Sequence, residues 1–248
     1  MSQERRVSVV LPIFRNRAQL PELHRRLSET LAALTTWYEL VFVDDAGGDG
    51  SLEWLRDCRA RDSRIQLVEQ PGNTGQHRAV LAGLARTTGD AVVVMDADLQ
   101  DPPEEIGRLL EALERSAGVV FARRTERHQS HGRHLTGRVF KRLLRRIAGS
   151  RVPAGTGMFF VAPRTVVDAA VESAGSARYV PLLLDLTGAP MTAIDVVKAY
   201  RIDSPSAYTA GRRLGLALAA IRQAIAQRRA RRSHSTVQSL HAKRSQGR

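Results

Sequence analysis

The chain has 248 residues, a formal net charge of +13, an ordinary apolar fraction of 43% and a single cysteine, Cys58. That length fits one large α/β domain or two small ones, and it is enough to bury a substantial core. One cysteine excludes an intrachain disulfide or a thiolate metal cluster and suits a reducing, cytoplasmic setting. No signal core follows the Met1-Ser2-Gln3-Glu4-Arg5-Arg6 start, and no apolar run approaches the ~18–20 residues of a membrane span.

The apolar pattern predicts a buried strand over Arg6–Phe14. A helix over Leu20–Leu34 follows from the spacing of Leu20, Leu23, Leu27, Leu31 and Leu34. Next come a strand over Glu39–Val43, a helix over Ser51–Arg61 and a strand over Arg64–Glu69. Gln76–Arg86 reads as a helix whose Ala79, Val80, Ala82 and Gly83 form a small-residue packing face. A fourth strand over Ala91–Met95, a helix over Pro103–Ser116 and a short strand over Val119–Ala122 complete the regular part. This alternation implies a mostly parallel sheet with helices on both faces. Right-handed crossovers then bring the loops after the first, second and fourth strands to one edge, where open α/β sheets bind ligands. The second half is less regular: a basic helix over Leu135–Ala148, a strand over Gly157–Val161, a helix over Thr165–Ser173, a strand over Ile194–Tyr200 and a long Arg-rich helix over Arg212–Arg232. The expected division is one domain over 1–210, then an amphipathic helix and polar tail over 211–248.

Charge is unevenly distributed. No acidic residue follows Asp203, and the block from Arg123 to Arg151 contains Glu126 as its one acid. Such polarity points to an anionic partner: nucleic acid, anionic lipid or a phosphorylated substrate.

Val94-Met95-Asp96-Ala97-Asp98-Leu99-Gln100-Asp101-Pro102-Pro103 is the most informative stretch. An apolar strand stops at two carboxylates spaced i and i+2, with an amide at i+4. Two hard oxygen ligands and an amide oxygen suit Mg²⁺ or Mn²⁺ that shares its shell with a phosphate ligand. The plainer reading is an acidic loop in which Asp101 caps the following helix, and it leaves Asp96 and Asp98 without a role. Upstream, Val41-Phe42-Val43-Asp44-Asp45 runs into Ala46-Gly47-Gly48-Asp49-Gly50-Ser51. The glycines let backbone approach a ligand, Asp49 or Ser51 can cap a helix, and a carboxylate here can accept from an N–H of a nucleobase. Capping acids in an ordinary βα loop account for that stretch equally well. Asn73-Thr74-Gly75-Gln76 is a turn opening a helix, whose N-terminus favours anions.

The order of the pieces identifies a family. Val9-Val10-Leu11-Pro12-Ile13-Phe14, Phe42-Val43-Asp44-Asp45 with Gly50-Ser51, Asn73-x-Gly75, Gly83, Gly89-Asp90 and Met95 to Pro103 together resemble family 2 of the inverting glycosyltransferases, which has a GT-A fold. The Asp-Leu-Gln-Asp-Pro-Pro run resembles the branch that glycosylates polyprenyl phosphates, including dolichyl-phosphate mannose synthases. The resemblance implies a nucleotide-sugar donor, UDP-, GDP- or dTDP-linked. Pro12 and Phe14 should meet the nucleoside, Asp45 or its neighbour Asp44 the base, and Asn73, Gly75, Asp96 and Ala97 the rest of the donor. Asp96, Asp98 and Gln100 should hold Mg²⁺ or Mn²⁺, with Asp98, Gln100 and Arg123 as the catalytic set.

On the acceptor side the resemblance implies Arg123, Arg133, Thr136 (or Gly137), Arg201 and Ser206. Arg201, Ser206 and Tyr208 match the family's Arg-x-x-Gly-x-Ser-Lys-Tyr, while Ser204 and Ala207 depart from it. Other departures are Arg15-Asn16 in place of Asn-Glu, and Met158 and Phe160 in place of the Asp and Arg of Gly-Asp-Phe-Arg. The two C-terminal membrane spans of many relatives have no counterpart here. The Met158-Phe159-Phe160 stretch leaves activity on a lipid phosphate chemically open; the alternative is an altered acceptor site or a weakened enzyme. A phosphate acceptor is already anionic and needs no base. A hydroxyl acceptor (a glycan or natural product) needs one, with His131 or Asp185 as candidates. Leu214, Leu218, Ile221 and Ile225, flanked by arginines, suit an interfacial helix on anionic lipid at the inner face of the plasma membrane, or a contact with the body or a second subunit. The rival class is a catalytically impaired protein that binds nucleotide sugar or RNA. No aromatic-interleaved RNA motif is visible, so nucleic acid is not the expected partner.

Overall fold

Residues 5–125, 150–175 and 179–197 are described by the computed structural model. The first strand, β1 (Val7–Ile13), is apolar at almost every position because helices cover both of its faces. Its Val7, Val9, Leu11 and Ile13 enter one core, and Val10 enters the other. After it come α1 (Leu20–Leu34), β2 (Tyr38–Asp44), α2 (Ser51–Arg59), β3 (Ile65–Glu69), α3 (Gln76–Leu84) and β4 (Ala91–Val94). A 3₁₀ turn (Pro103–Glu105) then leads into α4 (Ile106–Ser116). The chain continues through β5 (Val119–Thr125), β6 (Thr156–Pro163), α5 (Arg164–Glu172), α6 (Val180–Leu186) and β7 (Met191–Val197).

The seven strands form one sheet in the order β3-β2-β1-β4-β6-β5-β7. β1 pairs in parallel with β2 and β4, β2 with β3, and β5 with β7. β6 alone runs antiparallel, between β4 and β5. Side chains of α1, α2 and α4 fill one core, and those of α3, α5 and α6 fill the other. The chain works outward from β1 to β3 and then returns to β4 on the other side of β1. The carboxyl ends of β1 and β4 therefore flank the point at which such sheets open a crevice. α3 lies close on the sheet because Gly83 has no side chain: a Cβ there would stand 2.5 Å from Val10 Cγ1 and 2.8 Å from Val43 Cγ2. At the opposite edge the buried Glu39 accepts from Ser8 Oγ (2.6 Å), Thr88 N (2.6 Å) and the Gln66 side-chain amide.

Several sequence expectations shift. α6 was not anticipated: Val180-Pro181-Leu182-Leu183-Leu184-Asp185 is buried throughout and so has no polar face to give a helical period. β7 begins at Met191, three residues before the expected Ile194, because Val119, Val120 and Phe121 pair with Met191, Thr192 and Ala193. The expected helix over Pro103–Ser116 opens as a 3₁₀ turn, with Pro102 rather than Asp101 in the N-cap position. Met158, Phe159 and Phe160 lie in β6. They alternate between the two cores, all buried, with Phe160 tilted against Phe121. Among the described residues no helix is long and apolar enough to cross a membrane. The expected helices over Leu135–Ala148 and Arg212–Arg232, and the 211–248 unit, lie outside the described residues.

Candidate active site

Of the four non-glycine residues with left-handed backbone among the described residues, Ala117 ends α4, and the other three are Arg15 (φ 60°) after β1, Ala46 (φ 57°) after β2 and Leu99 (φ 61°) after β4. These three each follow the carboxyl end of a strand at the same sheet edge. Strain of this kind persists where surrounding structure imposes it, and it gathers at functional sites. The loops after β1 and β2 are pressed together there: a Cβ on Gly47 would stand 2.7 Å from the Arg15 amide nitrogen. Asp49 Oδ2 accepts from Arg17 N at 2.9 Å, and its Oδ1 from Ser51 N at 3.1 Å. Pro12 and Phe14 are half-buried along this edge, and the Arg15 guanidinium lies over the Phe14 ring.

The adjacent aspartates closing β2 have different surroundings. Asp45 points its carboxylate into the turn before α3. Oδ1 accepts from Thr74 N (2.6 Å) and Thr74 Oγ1 (2.9 Å), and Oδ2 accepts from Gly75 N (2.9 Å). Asp44 is also buried, yet its Oδ1 has no hydrogen-bond partner among the described residues. Burial pushes the Asp44 carboxyl above the usual carboxylate range, partly countered by the Gly47 and Ala46 amides. Of the two candidates for the base, Asp44 carries the uncommitted oxygen. Asn73 is exposed and Gly75 half-buried (φ 92°) at the mouth of α3.

β4 ends in a tight acidic loop. Asp96 and Asp98 are partly exposed, while Ala97, Gln100 and Asp101 are buried. The Asp96 Oδ1 accepts from the side-chain amide of Gln76, the first residue of α3. Its backbone N–H donates to Asp101 Oδ2 at 3.5 Å, so Asp101 reaches back onto its own loop. Gln100 braces Asp98 with its backbone N–H (to Oδ1, 3.1 Å) and its side-chain amide (to Oδ2, 2.6 Å). Among the described residues no group of three or more His, Cys, Asp or Glu could hold a metal alone. Two half-exposed carboxylates instead fit a hard divalent ion that draws its remaining oxygens from phosphate or water.

On the other side of the crevice, Arg123 is exposed and its Nε lies 2.5 Å from Asp195 Oδ1. β5 is parallel to β4 with β6 between them, so Arg123 reaches the same sheet edge about 10 Å across. Asp185 is buried and paired with Arg151 (Nε–Oδ1 2.9 Å), which also donates to the Asp185 and Gly188 carbonyls. His131, Arg133, Thr136, Gly137, Arg201, Ser206 and Tyr208 lie outside the described residues. Sequence reasoning did not single out Gln76, Thr74 or His77. His77 Nδ1 accepts from Val180 N (3.4 Å) and its ring packs on Tyr179 (4.9 Å between centroids), joining α3 to α6. The only sequence signal for Gln76 is its place directly after the Asn-x-Gly turn.

The family model for glycosyl transferase family 2 matches residues 8–170 of this chain. The chain belongs to glycosyl transferase family 2. Among curated proteins, this family 2 chain is 33% identical over 213 residues to the undecaprenyl-phosphate 4-deoxy-4-formamido-L-arabinose transferase of Klebsiella pneumoniae (strain 342), covering 86% of this chain and 65% of that one. It is 36% identical over 211 residues to the protein of the same name from Pseudomonas aeruginosa (strain LESB58), covering 85% and 62%. It thus spans less than two thirds of the length of these relatives. In fold it is similar to mannosyl-3-phosphoglycerate synthase from Rubrobacter xylanophilus (TM-score 0.61, 19% identity, 93% of this chain and 75% of that one). It is also similar to glucosyl-3-phosphoglycerate synthase from Mycobacterium tuberculosis in complex with Mn²⁺, UDP and phosphoglyceric acid (TM-score 0.56, 21% identity, 90% and 77%). The expected GT-A architecture is therefore the architecture present.

Proposed function

We propose that this family 2 chain is a metal-dependent, inverting glycosyltransferase that moves a sugar from a nucleoside-diphosphate sugar to a polyprenyl phosphate. The observation that carries the reading is the pair Asp96 and Asp98, partly exposed and braced by Gln76 and Gln100 at the carboxyl edge of the sheet where β2 also ends, at Asp44. Asp96 and Asp98 would hold Mg²⁺ or Mn²⁺, with Gln100 at Asp98. When bound, the ion would offset charge developing on the departing nucleoside diphosphate. The free Asp44 oxygen accepts an N–H of the base, and Pro12 and Phe14 line the nucleoside. Arg123, with Arg133, Thr136, Arg201 and Ser206, is assigned to the acceptor phosphate. Guanidinium and phosphate pair through charge-assisted, often bidentate hydrogen bonds.

In the reaction, an acceptor phosphate oxygen attacks the anomeric carbon from the face opposite the diphosphate. The bond from that carbon to the diphosphate oxygen breaks, its electron pair leaves with the nucleoside diphosphate, and the anomeric configuration inverts. A phosphate acceptor needs no base. That agrees with the engagement of Asp185 by Arg151 and of Asp195 by Arg123. The polyprenyl-phosphate acceptor is also supported by the names of the curated relatives. The arginines after Asp203 support peripheral contact with anionic lipid at the cytoplasmic face, where both substrates would meet.

The test is transfer itself. UDP-, GDP- and dTDP-sugars are each incubated with a short polyprenyl phosphate and Mn²⁺ or Mg²⁺, and products are read by mass spectrometry and anomeric NMR. One donor class is expected to give an inverted glycosyl phospholipid, and EDTA is expected to stop it. No transfer from any donor, transfer only to hydroxyl acceptors, or transfer that survives EDTA contradicts the proposal.

A further inference from the structure

Gln76 opens α3, and its side-chain amide crosses to Oδ1 of Asp96 at the end of β4. Three anchors hold that helix, two at its start and one near its end. Asp45 takes the Thr74 and Gly75 amide hydrogens and the Thr74 hydroxyl. Gly83 seats the helix directly on Val10 and Val43. His77, buried, accepts from the Val180 amide and packs on Tyr179. The donor presented to Asp96 is therefore carried by a rigid element rather than by a loop. Asp96 itself follows a strand and lies in a loop closed by Asp101 and strained at Leu99.

An amide donor on one oxygen of a ligating carboxylate fixes its orientation, and such outer contacts set metal affinity. We propose that Gln76 is a positioning residue for the cation site: it orients the Asp96 carboxylate. Through the Asp45-held turn, it makes the metal end and the base end of the donor cleft a single mechanical unit. This inference rests on the metal-dependent reading above. It gives Asp45 a role different from base recognition, because its oxygens are spent on positioning Gln76.

The experiment measures Mn²⁺ binding by electron paramagnetic resonance of the free ion, with UDP, GDP or dTDP present and no sugar donor, so without turnover, for wild type, Gln76→Leu, Gln76→Met and Asp96→Ala. UDP, GDP and dTDP binding in EDTA and thermal unfolding in EDTA are measured alongside. Gln76→Leu and Gln76→Met should each weaken Mn²⁺ binding about tenfold or more, while nucleotide binding in EDTA changes by less than about twofold. The two variants share the loss of the N–H donor and differ in branching, so a packing defect in one does not decide the outcome. Wild type that binds no Mn²⁺ overturns the metal-dependent reading itself. Wild-type binding that Asp96→Ala removes, and that both Gln76 variants retain in full, overturns the role of Gln76 alone. Parallel loss of metal and metal-free nucleotide binding also overturns it, because it marks general damage to the cleft.

Discussion

His77 lies in the first turn of α3 with its ring out of water, and burial holds its imidazole down at about 4. The unfolded chain protonates the same ring near 6.5, so between those values the unfolded state carries a proton that the folded state refuses. Stability is complete above about pH 6.5 and falls with pH from there, by at most about 3 kcal/mol once pH is below about 4. Urea unfolding of wild type and His77→Gln across pH 4 to 7 should show a slope in wild type that the variant lacks. Equal slopes contradict the assignment. The residue scale is also where the sequence is least explicit. Asp44 and Asp45 are indistinguishable in the string Val-Asp-Asp. Which one keeps an oxygen for a ligand depends on a turn 29 residues later that reaches back to Asp45. Asp96 and Asp98 are legible because a buried strand ending in two carboxylates has no cheap structural explanation. The support from Gln76, 20 residues upstream, is not legible, because nothing in a polar helix start announces its partner.

At the scale of elements, periodicity serves well where one face is buried and the other wet. Leu20–Leu34 has the predicted boundaries because its leucines repeat at helical spacing. It is silent for α6, buried all round, and for the direction of β6, since alternation is the same in either direction. α3 shows what the small-residue face is for. In an exposed helix, Gly83→Ala would gain about 1 kcal/mol. Here the new methyl meets two stiff valine side chains at 2.5 and 2.8 Å, so α3 must lift from the sheet. The expected net loss is about 1–3 kcal/mol, with a lower thermal midpoint by calorimetry and weaker Mn²⁺ binding as Gln76 retreats from Asp96. A midpoint at or above that of wild type contradicts the close seating of α3.

For the whole molecule, the motifs expected to meet the donor share one sheet edge, because each sits at the end of its own strand and parallel order brings those ends together. The acceptor half reads less well because its expected residues are spread over Arg123 to Ser206 and depend on long-range pairing. Within the described part, Arg123 meets Asp195 across 72 residues and Arg151 meets Asp185 across 34. Met158 and Phe160, which the resemblance sets against a polar pair, are buried core residues. What organises the molecule is a rigid sheet that carries two carboxylates to one edge. The most direct measurement is nucleoside diphosphate binding by calorimetry, with Mn²⁺ and with EDTA, to wild type and to Asp98→Asn, which keeps an acceptor for Gln100 and cancels the charge. Mn²⁺ should strengthen binding to wild type and have little effect on Asp98→Asn, with both proteins folded by circular dichroism. Binding to wild type that ignores Mn²⁺, or an Asp98→Asn protein that responds to it as wild type does, would contradict the account.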